Sequence, residues 1–200
     1  MENFWDQRYS EPGFAYGNEP NDFFKEITDS MTPGKLLLPG EGEGRNAIYA
    51  ANAGWNVTAI DQSHVARNKA LEWATSLELK IDYQLADLTE FECRKPEFDL
   101  IALVYIHMPE MIRSAVHKQL SACVKPGGLL IMECFHKTQL QYRTGGPPVE
   151  ELLYNEQDLQ KDFAGMEIQQ CENLVLYKEE GKYHEGESSV IRFIAKKQTQ

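Results

Sequence analysis

The sequence lacks the features of several classes of protein. Its 200 residues carry a net charge of −11, with 20 Lys and Arg against 31 Asp and Glu. Proteins bind nucleic acids and anionic membranes through clustered basic side chains. The excess of acidic residues therefore argues against either as the main partner. No stretch approaches the roughly 20 consecutive apolar residues that span a bilayer. The N-terminus, MENFWDQRYSEPG, has neither the basic nor the apolar region of a secretory signal peptide.

Cysteine is scarce and widely spread. The four cysteines are Cys93, Cys123, Cys134 and Cys171, with no CxxC pair among them. No Cys/His cluster has the spacing of zinc ligands. We therefore expect four reduced thiols, no metal site and a cytoplasmic location, since reduced cysteines are typical of that compartment.

Apolar segments alternate with amphipathic ones from residue 35 to residue 135. Buried strands are predicted at 35–38, 55–60, 81–85, 98–105 and 129–135, and helices at 44–53, from Ser63 to Leu77, and at 110–124. Such alternation with short connections indicates an α/β sandwich with a mainly parallel sheet. A short helix at 155–164 and two long strand-like runs, 166–177 and 188–196, follow. The Gly-rich link between those runs predicts an antiparallel hairpin at the edge of the sheet.

The first strand ends in a glycine-rich loop, Gly40-Glu41-Gly42-Glu43-Gly44, that leads into a helix. A strand, a glycine loop and a helix together present backbone N–H groups to a ligand. Dinucleotide-binding loops have the spacing GxGxxG. Here the spacing is GxGxG, and Arg45 stands where the third glycine of that pattern belongs.

The two loop glutamates indicate which ligand fits. A pyrophosphate beside Glu41 and Glu43 would meet like charge, at about 1 kcal/mol for each close pair even in water. A ligand with an ammonium or sulfonium group and no phosphate would be attracted instead. S-adenosylmethionine (SAM), with its adenosine, sulfonium and amino-acid head, is such a ligand.

Two aspartates further along support a nucleoside ligand. Asp61 ends the second strand, where a carboxylate can accept both ribose hydroxyl protons. Asp87 follows the third strand, where it can accept the adenine amino group between Ala86 and Leu88. Each has a simpler alternative, since Asp61 could cap the helix that begins at Ser63 and Asp87 could be a turn residue.

The motifs PGEGEGRN, VTAIDQS, LADL and VKPGGLLIMECF together resemble those of class I SAM-dependent methyltransferases. The whole chain is more specifically similar to small bacterial methyltransferases of the tellurite-resistance group, and more distantly to thiopurine methyltransferases. The terminal segments FWDQRYSEPGFAYGNEPNDFF, QLQYRTGGPP and EGKYHEGESSVIRFIAKK carry that closer similarity. In one departure from the family, the usual acidic opening of the loop is Pro39-Gly40, so the carboxylate lies inside the loop.

The resemblance implies a fold and a set of site residues. The fold is a Rossmann-like α/β three-layer sandwich, one domain over residues 1–200, with a seven-stranded sheet in the order 3-2-1-4-5-7-6 and strand 7 antiparallel. Residues 1–30 would form a lid and 165–197 the final hairpin. SAM, giving S-adenosylhomocysteine as product, would contact Gly40, Glu41, Gly42, Gly44, Asn46, Asp61, Gln62, Ala86, Asp87, Leu88, Tyr105, Trp5 and Arg8. Trp5 could instead be a hydrophobic plug over the sheet.

The acceptor of the methyl group is predicted from position alone. Arg143 lies in a glycine- and proline-rich loop after the fifth strand, and His184 lies in the link of the final hairpin. Together they could hold an anionic or thiolate nucleophile, although Arg143 could simply offset Glu150 or Glu151 and His184 could merely shape the turn. Of the remaining histidines, His117 is expected to be solvated, whereas His107 and His136 lie near strand ends.

The sequence therefore predicts a SAM-dependent methyltransferase that acts on a small-molecule thiol, chalcogen oxyanion or similar nucleophile. The oligomeric state is left open. The alternatives are a SAM-binding regulatory module without turnover and an NAD-dependent oxidoreductase. Arg45 and the loop glutamates disfavour the oxidoreductase.

Overall fold

The architecture follows from a computed structural model that describes residues 4–93 and 95–199. The strands are β1 Lys35–Pro39, β2 Asn56–Asp61, β3 Asp82–Leu85, β4 Phe98–Val104, β5 Val124–Phe135, β6 Glu167–Glu179 and β7 Glu185–Lys196. The helices are α1 Phe4–Tyr9, α2 Asp22–Ser30, α3 Arg45–Asn52, α4 His64–Ser76, α5 Glu110–Cys123 and α6 Glu156–Asp162. Short 3₁₀ turns cover Lys137–Gln141 and Glu150–Leu152.

The seven strands form one sheet in the order β3-β2-β1-β4-β5-β7-β6. Strands β1 to β5 pair in parallel, whereas β7 is antiparallel to both β5 and β6. The predicted fold class is confirmed. Chain order reverses between β1 and β4, and in open α/β sheets a ligand binds at the carboxyl ends of the strands beside such a switch point.

Both faces of the central strands are buried, which explains their nearly continuous apolar sequence. Leu36 and Leu38 of β1 pack into the core on one face of the sheet, with Phe24 of α2. Leu37 points to the other face and packs into the core that contains Phe163. Alternate residues of a strand point to opposite faces, so one apolar run serves two cores.

Among the strands, the predicted boundaries differ most from the structure in the last three, β5, β6 and β7. Strand β5 begins at Val124, five residues earlier than expected, because the Pro126-Gly127-Gly128 segment is extended. There the backbone N–H of Gly127 donates to the carbonyl of Lys197 at 2.8 Å. The final strands also begin or end two or three residues away from the predicted limits. Asn155 and Asp158 form a capping box at the N-terminus of α6, which confirms the short helix predicted there.

The expectation of four reduced thiols is wrong. Cys93 and Cys123 form a disulfide across a sequence separation of 30 residues. Cys134 and Cys171 are free thiols. Sequence spacing did not reveal this pair because the fold, not the local pattern, brings the β3–β4 loop to the end of α5. The prediction of a cytoplasmic location therefore can no longer be argued from reduced cysteines. Within residues 4–93 and 95–199, every helix is too short or too polar to cross a bilayer.

Candidate active site

A cleft of about 760 Å³ lies at the carboxyl ends of the central strands. Its volume falls within the range of roughly 300–1,000 Å³ that is usual for small-molecule sites. The N-terminal segment and the β6–β7 link close it from above with aromatic and charged side chains, among them Trp5, Arg8, Tyr9, Tyr16, Tyr183 and His184. Residues distant in sequence therefore share one site.

The glycine loop has a backbone that only glycine adopts easily. Gly40, Gly42 and Gly44 have φ values of 63°, 64° and 94°. A Cβ on Gly40 would lie 2.1 Å from the side chain of Ile106, and one on Gly42 would lie 2.7 Å from the hydroxyl of Tyr9. The close approach that requires Gly42 is thus to the protein's own Tyr9.

Glu41 occupies the N-terminus of α3. Its carboxylate accepts a hydrogen bond from the backbone N–H of Ala47 at 2.7 Å and one from the amide of Asn46 at 3.4 Å. Burial raises the pKa of Glu41 to about 7. A helix N-terminus commonly holds a ligand phosphate, but here a carboxylate of the chain fills that position. A phosphate group in this place would meet like charge.

Glu43 has a different role from the one that the sequence suggested. It is buried, accepts a hydrogen bond from the backbone N–H of Ala15 at 2.7 Å, and forms an ion pair with Lys69 at 2.8 Å. Glu43 therefore fastens the N-terminal segment to the loop and to α4. Because Lys69 neutralises its charge, only Glu41 carries the electrostatic argument against a phosphate.

Asp61 fixes the glycine loop from the end of β2. Its carboxylate accepts hydrogen bonds from the backbone N–H groups of Gly42 at 2.9 Å and Ser63 at 2.8 Å. The hydroxyl of Ser63, not Asp61, caps α4 by accepting from Ala66. Burial raises the pKa of Asp61, which also lines the cleft. A carboxylate has about four acceptor positions, so Asp61 can also accept from a ligand.

The loop after β3 lies at the opposite end of the cleft from the hairpin. Ala86, Asp87 and Leu88 all line the cleft, as does Gln62. One oxygen of Asp87 accepts from both the backbone N–H and the hydroxyl of Thr89 at 2.8 Å. For that oxygen, the structure therefore supports the alternative that Asp87 is a turn residue. Contact of Asp87 with adenine stays a prediction.

The N-terminal segment covers the glycine loop through several anchors. Trp5 stacks on Tyr9 with ring centroids 5.7 Å apart, and Asp6 accepts from the hydroxyl of Ser63 at 2.6 Å. Arg8 donates to the hydroxyl of Tyr16 at 3.1 Å and lies 3.7 Å above the ring of Tyr183. Of the lid predicted over residues 1–30, the part between Phe4 and Gly17 lines the cleft, whereas α2 packs into the core on one face of the sheet. Residues 1–3 fall outside the described residues.

Most histidines at the strand ends are already fully bonded. His107 donates from Nδ1 to the carbonyl of Leu152 at 2.8 Å and accepts at Nε2 from the backbone N–H of Phe135 at 3.3 Å. Burial lowers the pKa of His107 to about 4. His136 caps a 3₁₀ turn. The expectation that His117 is solvated is wrong, because it is buried and lies 2.9 Å from Asp162.

His184 lies in the wall of the cleft beside three aromatic rings. Its centroid is 4.5 Å from that of Tyr16, 4.4 Å from that of Tyr105 and 5.0 Å from that of Phe135. Tyr105 has a left-handed backbone, with φ of 55°, and donates its hydroxyl to Glu133 at 2.8 Å. Burial lowers the pKa of His184, which favours the neutral form of the ring.

Comparison with known proteins supports this reading of the cleft. A family model described as a methyltransferase domain matches residues 37–128, which span the glycine loop, Asp61 and the loop after β3. The strand order is also the one expected from the resemblance to class I methyltransferases. Similar solved structures include TehB from Haemophilus influenzae, with a TM-score of 0.75 and 15% identity over 98% of this chain and 66% of that one. A SAM-dependent methyltransferase from Methanosarcina mazei has a TM-score of 0.73 and 18% identity, covering 91% of this chain and all (100%) of that one.

The curated relatives of this chain are longer proteins. A ubiquinone biosynthesis O-methyltransferase from Actinobacillus pleuropneumoniae is 27% identical over 128 residues, which are 60% of this chain and 54% of that protein. The chain spans about half the length of the curated relatives that it matches. The family model ends at residue 128, so it includes the glycine loop and Asp61 but not the final hairpin.

The predicted pairing of Arg143 with His184 is wrong, because Arg143 does not line the cleft. Arg143 is exposed, has φ of 58°, and lines a second hollow of about 850 Å³ outside the cleft. Gly145 and Gly146 stand between the two hollows and line both. The predicted offset of Glu150 or Glu151 is also not found, because no ion pair of Arg143 is present among the described residues.

A buried network of charges beneath the cleft was missed by sequence reasoning. Glu133 accepts from Lys178, Asn21 and Tyr105 on one oxygen and from Arg192 at 2.8 Å on the other. A second carboxylate, that of Glu180, pairs with Lys178 at 3.3 Å and with Arg45 at 3.0 Å. One signal was available, since Glu133 interrupts the apolar run LLIMECF of a buried strand.

Proposed function

We propose that this chain is a SAM-dependent methyltransferase that transfers a methyl group to a small-molecule nucleophile. The observation that carries the cofactor assignment is the carboxylate of Glu41 at the N-terminus of α3, 2.7 Å from the backbone N–H of Ala47. This arrangement disfavours a pyrophosphate and suits a cationic ligand. Arg45, which replaces the third glycine of a dinucleotide loop, is itself buried in an ion pair with Glu180.

The residues of the cleft fit SAM. Asp61 would hold the ribose, and the segment from Ala86 to Leu88 would take the adenine. Glu41 would face the positive groups of the amino-acid half, and Trp5 and Arg8 would cover them from the lid. SAM supplies the methyl group on a sulfonium and leaves as S-adenosylhomocysteine. The chain's contribution is to bind, align and exclude water.

The acceptor half of the cleft is apolar. Met108, Ile112, Phe135, Pro147 and Leu152 line it, together with the rings of Tyr105 and His184. Such walls bury the body of an apolar or aromatic molecule and leave few polar groups to orient its reacting atom. We infer an acceptor of that kind. A macromolecular acceptor is not proposed, because the N-terminal segment and the β6–β7 link cover the cleft.

The nature of the reacting atom is the finer part of the proposal. The prediction of a thiolate or chalcogen oxyanion depended partly on Arg143, which lies outside the cleft. A hydroxyl acceptor is favoured by the neutral His184 in the cleft wall and by curated relatives named as O-methyltransferases. A panel of acceptors therefore has to contain both kinds of nucleophile.

The experiment has two stages. Isothermal titration calorimetry with S-adenosylhomocysteine and with NAD⁺ separates the methyltransferase from an oxidoreductase, and we expect heat of binding only with S-adenosylhomocysteine. Release of S-adenosylhomocysteine from SAM is then measured with catechol, 4-nitrothiophenol, selenite and tellurite. Binding without turnover on any acceptor would favour a regulatory module, and binding of NAD⁺ alone would refute the assignment.

The calorimetry has a matched pair of variants. Asp61→Asn removes the charge that holds the loop and should weaken binding of S-adenosylhomocysteine. Asn155→Ala removes the side-chain cap of α6, at a distance from the cleft, and should lower stability without changing the affinity. Equal affinity in both variants would contradict the site. A cytoplasmic location, and the absence of nucleic acid or membrane as partner, stay predictions.

A further inference from the structure

We propose that Glu180 is a positioning residue that holds the ring of His184 so that Nε2 accepts the proton of a hydroxyl acceptor. This inference rests on the proposed function and deepens it, because it selects a hydroxyl over a thiolate as the acceptor that needs His184. The observation behind it is a buried carboxylate, held by Asn21, Lys178 and Arg45, that lies behind a ring in the wall of the cleft.

Glu180 is held from four directions. One oxygen accepts from the amide of Asn21 at 2.9 Å and lies 3.3 Å from the ammonium of Lys178. The other lies 3.0 Å from the guanidinium of Arg45 and 3.5 Å from Nδ1 of His184. Although burial opposes ionisation, these partners hold the pKa of Glu180 well below its usual range. The carboxylate is therefore a fixed negative charge beside Nδ1.

The two nitrogens of His184 have different surroundings. Nδ1 is enclosed and makes no hydrogen bond with the described residues, and Glu180 is the acceptor that faces it. Nε2 is not among the enclosed atoms, and the ring lines the cleft. A proton on Nδ1 is favoured by the carboxylate, and that tautomer leaves the lone pair of Nε2 toward the cleft.

The distance of 3.5 Å between Nδ1 of His184 and the carboxylate of Glu180 suits an ion pair but is longer than that of a hydrogen bond. Catalytic hydrogen bonds are often long before substrate binds and tighten when charge develops. A protonated ring would be drawn to the carboxylate for that reason. Glu180 raises the pKa of His184, whereas burial and the cations Arg45 and Lys178 lower it. The titratable groups around the ring are Tyr16, Tyr105, His107, Arg45, Lys178 and Glu180.

Two other titratable groups close to His184, namely His107 and Tyr105, are unsuited to the task. Both ring nitrogens of His107 are bonded to backbone groups. Tyr105 donates its hydroxyl to Glu133, whose negative charge together with burial raises the pKa of the phenol far above its usual range. Neither group can take up a proton near pH 7 without breaking these bonds. Among these groups only His184 combines a neutral ring with an open nitrogen.

The proposed step balances as follows. The O–H bond of the acceptor breaks and its proton forms a bond to Nε2 of His184. The electron pair left on the acceptor oxygen forms the new bond to the methyl carbon, while the pair of the breaking carbon–sulfur bond returns to the sulfonium of SAM. The imidazolium is stabilised by Glu180 and later loses its proton to solvent. A thiolate that is already ionised needs no such transfer.

The first test is spectroscopic and independent of turnover. In ¹⁵N-histidine-labelled protein at pH 7, we expect His184 to show a protonated Nδ1 and an unprotonated Nε2. The signal is assigned by its loss in His184→Gln, since the chain has five histidines. Glu180→Gln should move the population toward the Nε2-protonated tautomer and lower the pKa of the ring. An Nε2-protonated ring in the unaltered protein would overturn the proposal.

The second test uses two probe acceptors and a matched control. Glu180→Gln should lower methylation of catechol by at least about tenfold, because general base catalysis typically contributes 10²–10⁴-fold. Methylation of 4-nitrothiophenol should stay within about threefold, which also shows that the variant is folded. Glu179→Gln, an exposed neighbour, should change neither rate. An equal loss with both acceptors would assign Glu180 a purely structural role.

The two proposals fail in different ways. If the unaltered protein binds no S-adenosylhomocysteine, the proposed function is wrong whatever the tautomer of His184. If it methylates catechol and Glu180→Gln keeps the full rate with an unchanged pH profile, only the role of Glu180 is wrong. Should Glu180→Gln fail to fold, the tautomer in the unaltered protein and the catechol rate of His184→Gln still decide the question.

Discussion

Binding of SAM should depend on pH through one residue of the glycine loop. Glu41 has its pKa raised by burial from 4.5 to about 7, and its carboxylate lies at the cofactor end of the cleft. A ligand with positive groups favours the ionised form. We therefore expect SAM to bind more tightly as the pH rises through 7, and to release a proton on binding below that pH.

The magnitude follows from the ionised fraction. With a pKa of about 7, roughly one tenth of Glu41 is ionised at pH 6 and nine tenths at pH 8. If the ionised form binds, the Kd for SAM falls by about ninefold between these values. The stability of the free protein should change with pH in the opposite direction. Because the pKa of Glu41 is raised in the folded state, its contribution makes folding less favourable as the pH rises from 4.5 toward 7.

The assay is calorimetric titration of SAM at pH 6, 7 and 8 with the unaltered protein and with Glu41→Gln. The variant removes a charge-assisted interaction of about 1.5–3 kcal/mol, so binding at pH 8 should weaken by roughly 10- to 100-fold. Its affinity should also lose the pH dependence. A Kd that does not change with pH in the unaltered protein, or the same pH dependence in both proteins, would refute the role of Glu41.

Three further outcomes follow from the structure. Asp61→Asn should weaken SAM by about one to two orders of magnitude in calorimetry, since it loses charge-assisted hydrogen bonds to the loop; a change below twofold would contradict this role. Gly42→Val should abolish binding and also lower Tm, because φ is 64° and a Cβ would meet Tyr9 at 2.7 Å; retained affinity in a folded variant would show that the loop tolerates a side chain. Cys93→Ser should lower the free energy of unfolding by about 3–4 kcal/mol in denaturant titrations under non-reducing conditions, given the 30-residue separation; no change would mean that the disulfide does not form.

The architecture of the sheet could be predicted because its signal is local. Continuous apolar runs mark strands that are buried on both faces, and the amphipathic segments between them mark helices. A window of about ten residues is enough to predict each strand. The alternation of strands with helices then indicates that the strands pair in parallel. The strand order and the antiparallel β7 came from resemblance to a known family, and the structure confirms both.

The glycine loop lies in the cleft, where its spacing predicted a binding site, but the sequence described only part of its chemistry. The GxGxG spacing places the loop, and the charge of Glu41 indicates a ligand without phosphate. The sequence does not show that Glu43 is neutralised by Lys69, because the partner lies on another helix. Nor does it show that Gly42 accommodates Tyr9, which comes from the N-terminal segment.

The acceptor side depended on tertiary structure throughout. Arg143 and His184 both follow strands at one edge of the sheet, yet Gly145 and Gly146 line both hollows and separate Arg143 from the cleft. Glu180 reaches Arg45 across 135 residues of chain, which no local pattern predicts. Periodicity and turn residues thus determined the strands, the helices and the cofactor loop. The tertiary structure decided which loops come into contact, because charged side chains from distant segments form ion pairs only once the sheet brings them together.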